Sequence, residues 1–422
     1  MATHGNVGRR VIPKECPHIV IAVQNLPVPL DRRVWLECRA LVAAGFRVSV
    51  ICPAGIDEAH YELRAGIELH RYPAPPPNQS TVGFLREYAH ALAHTGRLVT
   101  RIARNGPIAV FQACNPPDLF FPFAMALRRS GTRFVYDQHD LCPELYVSRF
   151  RRPHRWVLKA LVALERATYR QADQVIVMNE SFRRIAMARG SLAAAAVTVV
   201  RSGPSDEEMK RQSPVPALRR GRRHLCVYLG VMGPQDGVEL LLESAAELVH
   251  HRGRHDVQFA LLGFGDCLAD LRAQSTRLGL DPWVDFVGLA DDPTIARYLS
   301  TADLGLSPDP KNVLNDLCTM NKTLEYMAYE LPIVGFDLTE SRVSAGRAAS
   351  YVPSGDVVAF ATAIEELLQD PIRRAQMGAY GRARIERALS WEHSAPAYVE
   401  VFRRLAKLDR RLAEPDPLAE TG

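Results

Sequence analysis

The sequence predicts an α/β protein built from two doubly wound, Rossmann-like domains that face a central cleft. Three observations support this fold class. Short β-branched runs alternate with longer helical patterns, which is typical of parallel sheets joined by crossover helices. The alternation starts a second time about halfway along the 422 residues. Between the two cycles, residues 201–216 are rich in proline, serine and charge, as a linker is.

The first cycle, residues 1–203, contains six predicted strands: His18–Val23, Arg47–Cys52, Ile67–Arg71, Ile108–Phe111, Arg133–Asp137 and Gln174–Met178. Amphipathic helices are predicted between them at Arg32–Ala44, Gly83–Arg104 and Trp156–Gln171. The second cycle, residues 204–390, contains five more strands, at His224–Leu229, Val257–Leu262, Val284–Val287, Leu304–Leu306 and Pro332–Phe336. Ligands of such sheets bind beyond the carboxyl ends of the strands, so the residues that follow strands are the candidate site residues.

The composition excludes several classes of protein. The chain is 47% hydrophobic and 23% charged, which is ordinary for a globular protein and excludes disorder and fibres. Its most apolar run, residues 119–127, is short and contains a proline, so we predict no membrane-spanning helix. The N-terminus lacks an apolar signal core, and none of the eight cysteines forms a CxxC pair. We therefore expect a cytoplasmic protein, with residues 413–422 as a flexible tail.

The charge is distributed unevenly. Residues 1–200 hold 26 Lys and Arg against 15 Asp and Glu (+11), whereas residues 201–422 hold 26 against 32 (−6). The basic half suits an anionic partner, and we predict no nucleic acid because no RNP, zinc-finger or helix-turn-helix signature accompanies the charge. A phospholipid surface, a phosphate-bearing acceptor and plain solvation of helices remain open. The basic and aromatic residues that suit an anionic bilayer are Arg149, Phe150, Arg151, Arg152, Arg155, Trp156 and Lys159.

Two polar segments follow strands of the first domain. Residues 24–33 contain no glycine, which disfavours a dinucleotide fold, and their last three residues open a helix: Asp31, Arg32 and Arg33. His139 lies at the end of another strand, between Asp137 and Asp140 and ahead of Glu144. A histidine between carboxylates can bond a sugar hydroxyl or transfer a proton, although a purely structural histidine is the alternative.

Glycine-rich turns and one helix start follow strands of the second domain. The turns contain Gly230, Gly233, Gln235 and Asp236 in one case and Gly263, Phe264 and Gly265 in the other. Backbone amides of such turns can approach a phosphate or a sugar. A helix with Thr319 near its N-cap places Lys322 and Glu325 on one face. Its amides and Lys322 suit a diphosphate, and Glu325 can accept both hydroxyls of a ribose; an i,i+3 salt bridge is the alternative.

Taken together, these motifs resemble the family-4-like glycosyltransferases of GT-B fold. The resemblance covers nearly the whole chain and is strongest over residues 224–337; it rests on the motifs at 29–34, 139–144, 226–242, 259–266, 284–288, 302–308 and 322–333. It implies that residues 204–390 bind a nucleotide sugar, that residues 1–203 bind the acceptor, and that a helix at about 391–412 crosses back to the first domain.

The resemblance also implies residue roles. Three residues are implied to be catalytic: His139 near the transferred sugar, Lys322 at the diphosphate and Glu325 at the ribose. The donor-binding residues are predicted to be Gly230, Gly233, Gln235, Asp236, Gly263, Phe264, Gly265, Asp316, Thr319, Met320, Asn321, Lys322, Leu324, Glu325 and Arg342. The acceptor-binding residues are predicted to be Asp31, Arg32, Arg33, Asp137, His139, Asp140 and Glu144.

The sequence departs from the family at three positions. Val231 and Asp236 replace the basic pair that many members carry after the first donor-domain strand. This leaves the phosphate charge to Lys322, to helix amides and to Arg201 or Arg342. Leu317 replaces the first glutamate of the paired-glutamate motif, with the neighbouring Asp316 as its candidate substitute.

The expected activity is transfer of a sugar, with retention of configuration, from a nucleotide diphosphate sugar to an acceptor. A UDP-sugar is the favoured donor, and the acceptor is lipid-linked, a polysaccharide or a small molecule. The resemblance implies no cofactor and no metal, and the sequence agrees to the extent that Asp291 and Asp292 read as a helix cap. A peripheral position on the inner face of the plasma membrane follows if the acceptor is lipid-linked. A GT-B epimerase and an inactive nucleotide-binding scaffold are the alternatives.

Overall fold

The computed structural model describes residues 16–55, 58–74, 81–150 and 152–413. It contains two parallel-sheet α/β units, which confirms the predicted fold class. All eight cysteines are free thiols, and six of them are buried. Among the helices of the described ranges, none is both long and apolar enough to span a bilayer.

The N-terminal sheet has eight strands in the order β3-β4-β2-β1-β5-β6-β7-β8, all parallel except β3, which runs antiparallel to β4. Its elements are β1 (His18–Ala22), α1 (Arg32–Ala43), β2 (Arg47–Pro53), β3 (Tyr61–Arg64), β4 (Ile67–Tyr72), α2 (Thr81–Arg104), β5 (Val110–Cys114), α3 (Phe121–Arg128), β6 (Arg133–Gln138), α4 (Cys142–Arg149), α5 (Arg155–Gln171), β7 (Gln174–Val177), α6 (Glu180–Gly190) and β8 (Val197–Val199). Helices cover both faces, because the strands are buried and apolar on both sides.

The C-terminal sheet has six parallel strands in the order β11-β10-β9-β12-β13-β14. Its elements are β9 (His224–Leu229), α7 (Val238–Ala246), β10 (Val257–Leu262), α8 (Leu268–Arg277), β11 (Val284–Gly288), α9 (Asp292–Thr301), β12 (Leu304–Ser307), α10 (Asn321–Ala328), β13 (Ile333–Phe336), α11 (Thr339–Ala345), β14 (Ala349–Val352), α12 (Val357–Gln369) and α13 (Pro371–Arg384). Asp291 caps α9 by accepting a hydrogen bond from the backbone N–H of Thr294 (3.0 Å), which confirms the predicted helix cap.

One predicted strand is misplaced. The sequence predicts residues 108–111, whereas β5 runs from Val110 to Cys114. The predicted strand stops before Gln112, whose polar side chain is fully buried and hydrogen-bonded to other side chains. The strands β3, β8 and β14, which are three or four residues long, were not predicted because such short runs carry little periodicity.

Helix α14 (Trp391–Ala413) follows the second sheet but packs on the first. Trp391, Tyr398 and Phe402 are buried in the hydrophobic cluster that α1 forms with β1 and β2. The described chain ends with this helix at Ala413, so the rest of the predicted flexible tail, residues 414–422, lies outside the described residues.

Contacts between the two units hold the cleft residues in place. Leu314 and Cys318, which precede α10, are buried in a hydrophobic cluster of the N-terminal domain. Asn179, at the end of β7, donates a hydrogen bond from Nδ2 to the carbonyl of Leu317 (2.8 Å). The segment before α10 is therefore shared between the two cores.

Candidate active site

Lys322 is buried rather than exposed on the face of α10. Its Nζ lies 2.5 Å from Oδ1 of Asp309 and 4.9 Å from the centre of the Tyr228 ring. The side chains of Lys322 and Asp309 are 8% and 1% exposed. The alternative interpretation, an i,i+3 salt bridge between Lys322 and Glu325 on a solvated helix, is therefore wrong. Asp309 was missed, although it follows strand β12 as the other candidate residues follow theirs.

Glu325 forms its ion pair with the other domain. Nη1 of Arg32 donates to Oε1 of Glu325 at 2.9 Å, and Nη2 of Arg32 pairs with Asp292. Burial raises the pKa of Glu325, and Arg32 opposes that rise. Arg32, a predicted acceptor-binding residue, is thus hydrogen-bonded to Glu325, whose carboxylate is predicted to bind the donor ribose.

The two glycine-rich turns lie against each other at the carboxyl ends of β9 and β10. Met232 donates its backbone N–H to the carbonyl of Phe264 (2.8 Å). Gly263 has a φ of +157°, and a Cβ at this position would lie 1.8 Å from the carbonyl oxygen of Gly230, so only glycine fits. The close contact brings Gly230, Gly263 and Gly265 together, and their binding of a donor stays a prediction.

Asp236 shapes the first turn. Its Oδ2 accepts hydrogen bonds from the backbone N–H of Gly233 (2.8 Å) and from Nε2 of Gln235 (3.1 Å). Burial, with a contribution from Asp309, raises the pKa of Asp236 to about 6, and Lys322 opposes this rise. The position where many family members carry a cation therefore holds a carboxyl group that titrates near neutrality.

Thr319 and Leu317, which lie just before α10, both contact the N-terminal domain. Met320 is the N-cap residue of α10, so Thr319 lies just before the cap and accepts a hydrogen bond from Asn179 (3.1 Å) instead of capping the helix. Asn321 and Leu324 lie in the first turns of α10. Leu317 packs against the N-terminal domain, which explains why an apolar residue is accommodated there.

The remaining candidates for the donor phosphate or sugar have other partners. Asp316 accepts hydrogen bonds from the backbone N–H (2.8 Å) and hydroxyl (3.0 Å) of Thr339. Arg342 is mostly exposed and donates to Asp337 (2.8 Å). Arg201 differs, because its Nη1 is buried without a hydrogen-bond partner among the described residues. Whether these three side chains bind a donor stays a prediction.

His139 is held by polar side chains of the N-terminal domain. Its backbone N–H donates to Oδ1 of Asn115 (2.7 Å), and its Nε2 lies 2.8 Å from Oδ2 of Asp137. Nη2 of Arg33 donates to the other carboxylate oxygen of Asp137 (2.9 Å). Although burial alone would raise it, Arg33 and His139 hold the pKa of Asp137 below its usual range. His139 is thus an oriented imidazole at a strand end.

Three predicted acceptor-binding residues are paired with other residues of the N-terminal domain. Asp31 caps α1 by accepting from the N–H of Val34 (3.1 Å), and Arg33 is buried instead of facing the cleft as a free cation. Glu144 forms an ion pair with Arg189 of α6. Whether Asp31, Arg33 and Glu144 also contact the acceptor stays a prediction. Asp140 is largely buried, and this burial raises its pKa.

One group of possible metal ligands was not anticipated. Cys114, Asp137 and His139 place one ligand atom each within 4.8 Å of one another. The guanidinium of Arg33 already pairs with Asp137 there, and burial raises the pKa of the Cys114 thiol well above its usual value. This arrangement is that of an ion-paired network, in which a second cation would be repelled.

Comparisons with known proteins decide the family. The family described as "Glycosyl transferase 4-like domain" matches residues 30–203, and "Glycosyl transferases group 1" matches residues 223–370. The chain belongs to the family-4-like group 1 glycosyltransferases. Its GT-B fold is shared with sucrose-phosphate synthase from Thermosynechococcus elongatus, at 18% identity and a TM-score of 0.74, over 93% of this chain and all of the other.

This glycosyltransferase also has curated relatives. Alpha-D-kanosaminyltransferase from Streptomyces kanamyceticus is 27% identical over 272 residues, which are 61% of this chain and 67% of that protein. Sulfoquinovosyl transferase from Arabidopsis thaliana is 22% identical over 79% of this chain and 62% of its own length. The chain thus spans about two thirds of the length of these relatives, all of which are named as transferases. An Anabaena HepE structure in complex with UDP-glucose has a TM-score of 0.69 at 18% identity, with 92% and 99% coverage.

Proposed function

We propose that this glycosyltransferase moves a sugar, with retention, from a nucleotide diphosphate sugar to an acceptor bound by the N-terminal domain. One observation carries the proposal. The consecutive residues Arg32 and Arg33 contact Glu325 of the donor domain and the Asp137–His139 pair of the other domain. The predicted ribose ligand and the predicted sugar contact are therefore brought to one end of α1, across the same cleft.

Each residue has a definite task in the proposed reaction. Glu325 accepts hydrogen bonds from the ribose hydroxyls, and Lys322 with the free amides of α10 stabilises the charge that develops on the leaving diphosphate. His139 bonds the transferred sugar and is oriented by Asp137. The acceptor oxygen forms its bond to the anomeric carbon on the face from which the diphosphate departs. A phosphate oxygen takes the acceptor proton, and Lys322 with the amides of α10 takes the place of a metal ion at the diphosphate.

A UDP-sugar is the favoured donor, and a lipid-linked compound is the favoured acceptor. The HepE complex contains UDP-glucose. A Corynebacterium glutamicum relative, 28% identical over 170 residues, is named as a GDP-mannose-dependent mannosyltransferase of a phosphatidylinositol monomannoside. These names support a nucleotide sugar donor and a lipid acceptor, with UDP and GDP as the first bases to compare.

A thermal-shift series tests the donor. A ligand that binds only the native state raises its apparent stability, so the correct nucleotide among UDP, GDP, ADP and TDP should raise Tm most. Hydrolysis or transfer of the matching sugar donor then tests the enzyme. Conversion of the donor into an isomeric nucleotide sugar without an acceptor would indicate an epimerase. Binding without any turnover would indicate a scaffold.

The exposed start of α5 supports contact with an anionic membrane. Trp156 is 69% exposed, and Arg152, Arg155 and Lys159 are exposed around it. Arg149 instead pairs with Asp266, and Arg151 lies outside the described residues. Each basic residue near such a surface contributes about 1 kcal/mol, so a few of them give reversible binding.

Vesicle sedimentation tests the membrane contact. Binding to anionic but not neutral vesicles is expected, and both salt and the triple change Arg151, Arg152 and Arg155 to alanine should weaken it. The matched control removes two exposed arginines of the donor domain, at positions 373 and 387, and should leave binding intact. No sedimentation at low salt would favour an acceptor that is a soluble small molecule.

A further inference from the structure

The last turn of α4 connects the N-terminal domain to the donor domain. Oγ of Ser148 donates a hydrogen bond to Oδ1 of Asn312 (3.0 Å), which lies in the loop between β12 and α10. The next residue, Arg149, donates from Nη2 to the carboxylate of Asp266, which follows β10. The guanidinium of Arg149 therefore extends from the N-terminal domain onto the donor domain.

Asp266 lies where the two glycine-rich turns of the donor domain touch. It directly follows Gly265, and a Cβ at Gly265 would lie 2.6 Å from the carbonyl oxygen of Met232 in the other turn. The backbone N–H of Cys267, the residue after Asp266, donates to the same carbonyl (2.9 Å). Arg149 is thus paired at the junction of the two turns whose amides the sequence predicts as phosphate ligands.

A series of hydrogen bonds also connects the end of α4 to the first of these turns. The Asn312 oxygen that anchors α4 accepts from the backbone N–H of Asn315 (2.8 Å), and Nδ2 of Asn315 donates to the carbonyl of Gln235 (2.8 Å). Burial raises the pKa of Asp236, the next residue, and the charge of Arg149 is among those that oppose this rise. Arg149 therefore acts electrostatically on both turns.

The donor domain is short of positive charge at this place. Val231 and Asp236 stand where many family members carry a basic pair. The charge of Lys322 is already compensated, because Nζ pairs with the carboxylate of Asp309. A diphosphate carries several negative charges, and stabilising them in the cleft calls for a further cation.

Arg149 can change partners more easily than Lys322 can. The side chain of Asp266 is 50% exposed, so water solvates its carboxylate when the guanidinium leaves, and such a surface pair contributes little stability. Asp309 is 1% exposed and would remain as an uncompensated buried charge. A guanidinium also has a planar fork of N–H donors, which matches two phosphate oxygens.

We propose that Arg149 of the N-terminal domain binds the diphosphate of the donor and supplies the positive charge that the residues after β9 lack in this chain. The inference rests on the proposed function, because it requires a nucleotide diphosphate sugar as the donor. When the donor binds, the guanidinium leaves Asp266 and donates to phosphate oxygens, whose charge increases as the diphosphate departs from the sugar. Donor binding thereby holds α4 on the donor domain.

Substitutions of Arg149 test the contact through nucleotide affinity, measured by titration calorimetry with UDP and GDP. For the nucleotide that wild type binds more tightly, Arg149→Gln should lower the affinity about ten- to hundredfold, because a hydrogen bond to a charged group is lost. Arg149→Lys keeps the charge without the fork, so its affinity should lie between those of wild type and Arg149→Gln. Tm should stay near wild type in both variants, since the pair with Asp266 lies at the surface.

Arg128 provides the matched control. It occupies the last turn of α3, as Arg149 occupies the last turn of α4, and it pairs with Asp173 (3.1 Å). Asp173 directly precedes β7, at the edge of the sheet opposite the cleft. Arg128→Gln should therefore leave nucleotide affinity unchanged. An equal loss of affinity in Arg128→Gln and Arg149→Gln would overturn the proposal.

A rescue experiment distinguishes a phosphate ligand from a residue that only holds the domains together. Val231 is 47% exposed, so Val231→Arg restores a cation of the family pattern within the donor domain itself. Added to Arg149→Gln, it should bring nucleotide affinity back to within about threefold of wild type. Asp266→Asn removes the protein partner but not the cation, so it should leave the affinity unchanged or raise it up to about threefold. A loss in Asp266→Asn as large as in Arg149→Gln, without rescue by Val231→Arg, would show that the ion pair between the domains is what matters, and would overturn the proposal.

Two further results would overturn the role of Arg149 without touching the proposed function. One is unchanged nucleotide affinity in Arg149→Gln. The other is an increase in KM confined to the acceptor, which would place Arg149 on a phosphate of the acceptor instead of the donor. A wild type that binds neither nucleoside diphosphate and transfers no sugar would instead refute the proposed function, whatever the variants do.

Discussion

Replacing Lys322 by methionine should lower both the stability of the donor domain and its affinity for a nucleotide. Its Nζ lies 2.5 Å from Asp309, and both side chains are almost fully buried. Removing one partner of a buried pair leaves the other charge uncompensated, which costs about 3–5 kcal/mol. Since each kcal/mol shifts Tm by about 2–4 °C for a domain of about 150–250 residues, Tm should fall by about 6–20 °C.

The double variant Lys322→Met, Asp309→Asn separates stability from binding. Removing both charges should restore the free energy of unfolding to within about 1–2 kcal/mol of wild type, because neither charge is then left unpaired. UDP affinity should stay reduced by about ten- to hundredfold, since a charge-assisted contact to the diphosphate contributes about 1.5–3 kcal/mol. Calorimetric melting and titration calorimetry with UDP measure the two quantities.

Two results would refute this reasoning. A double variant as unstable as Lys322→Met would show that the unpaired carboxylate is not the cause of the loss. Recovery of UDP affinity in the double variant would show that Lys322 is not the diphosphate ligand. Lys311→Met is the control: its side chain is 53% exposed and pairs with Asp316 at 3.3 Å, and such a surface pair is worth at most about 1 kcal/mol.

Four further outcomes follow from the site. Arg32→Ala should strengthen UDP binding by up to about fivefold in titration calorimetry, because the guanidinium no longer occupies Glu325; weaker binding would contradict this competition. The pKa of Asp236 is raised from its usual value near 3.8 to about 6, so the folded state favours the protonated carboxyl group. The stability that this preference contributes is complete below pH 3.8 and is lost as the pH rises through about 6. Asp236→Asn should abolish this part of the pH dependence of Tm, and an unchanged profile would argue against the role of Asp236. His139→Ala should depress kcat far more than donor affinity, and equal turnover would return His139 to a structural role. Transfer should persist in EDTA, whereas rescue of a chelated enzyme by Mg²⁺ or Mn²⁺ would reveal a metal site.

The sequence was sufficient for the features that depend on local pattern. The strands at His224–Leu229 and Val257–Leu262 were predicted to the residue, and α1 to within one residue. Periodicity and β-branched composition act over a few neighbouring residues, so a single sequence shows them directly. The glycines of the two turns were equally evident, because a close backbone approach excludes any side chain.

The tertiary structure decided which charges meet. Arg32 pairs with Glu325, 293 residues away, and Lys322 pairs with Asp309 instead of with its neighbour on the helix. Tyr398, from the last helix, donates its hydroxyl proton to Gln112 of the N-terminal domain. Such pairings depend on how the elements pack, and no local pattern specifies them. The sequence thus determined where a charged site would form, while packing determined each partner, because the free energy of a buried charge depends on whatever the fold places beside it.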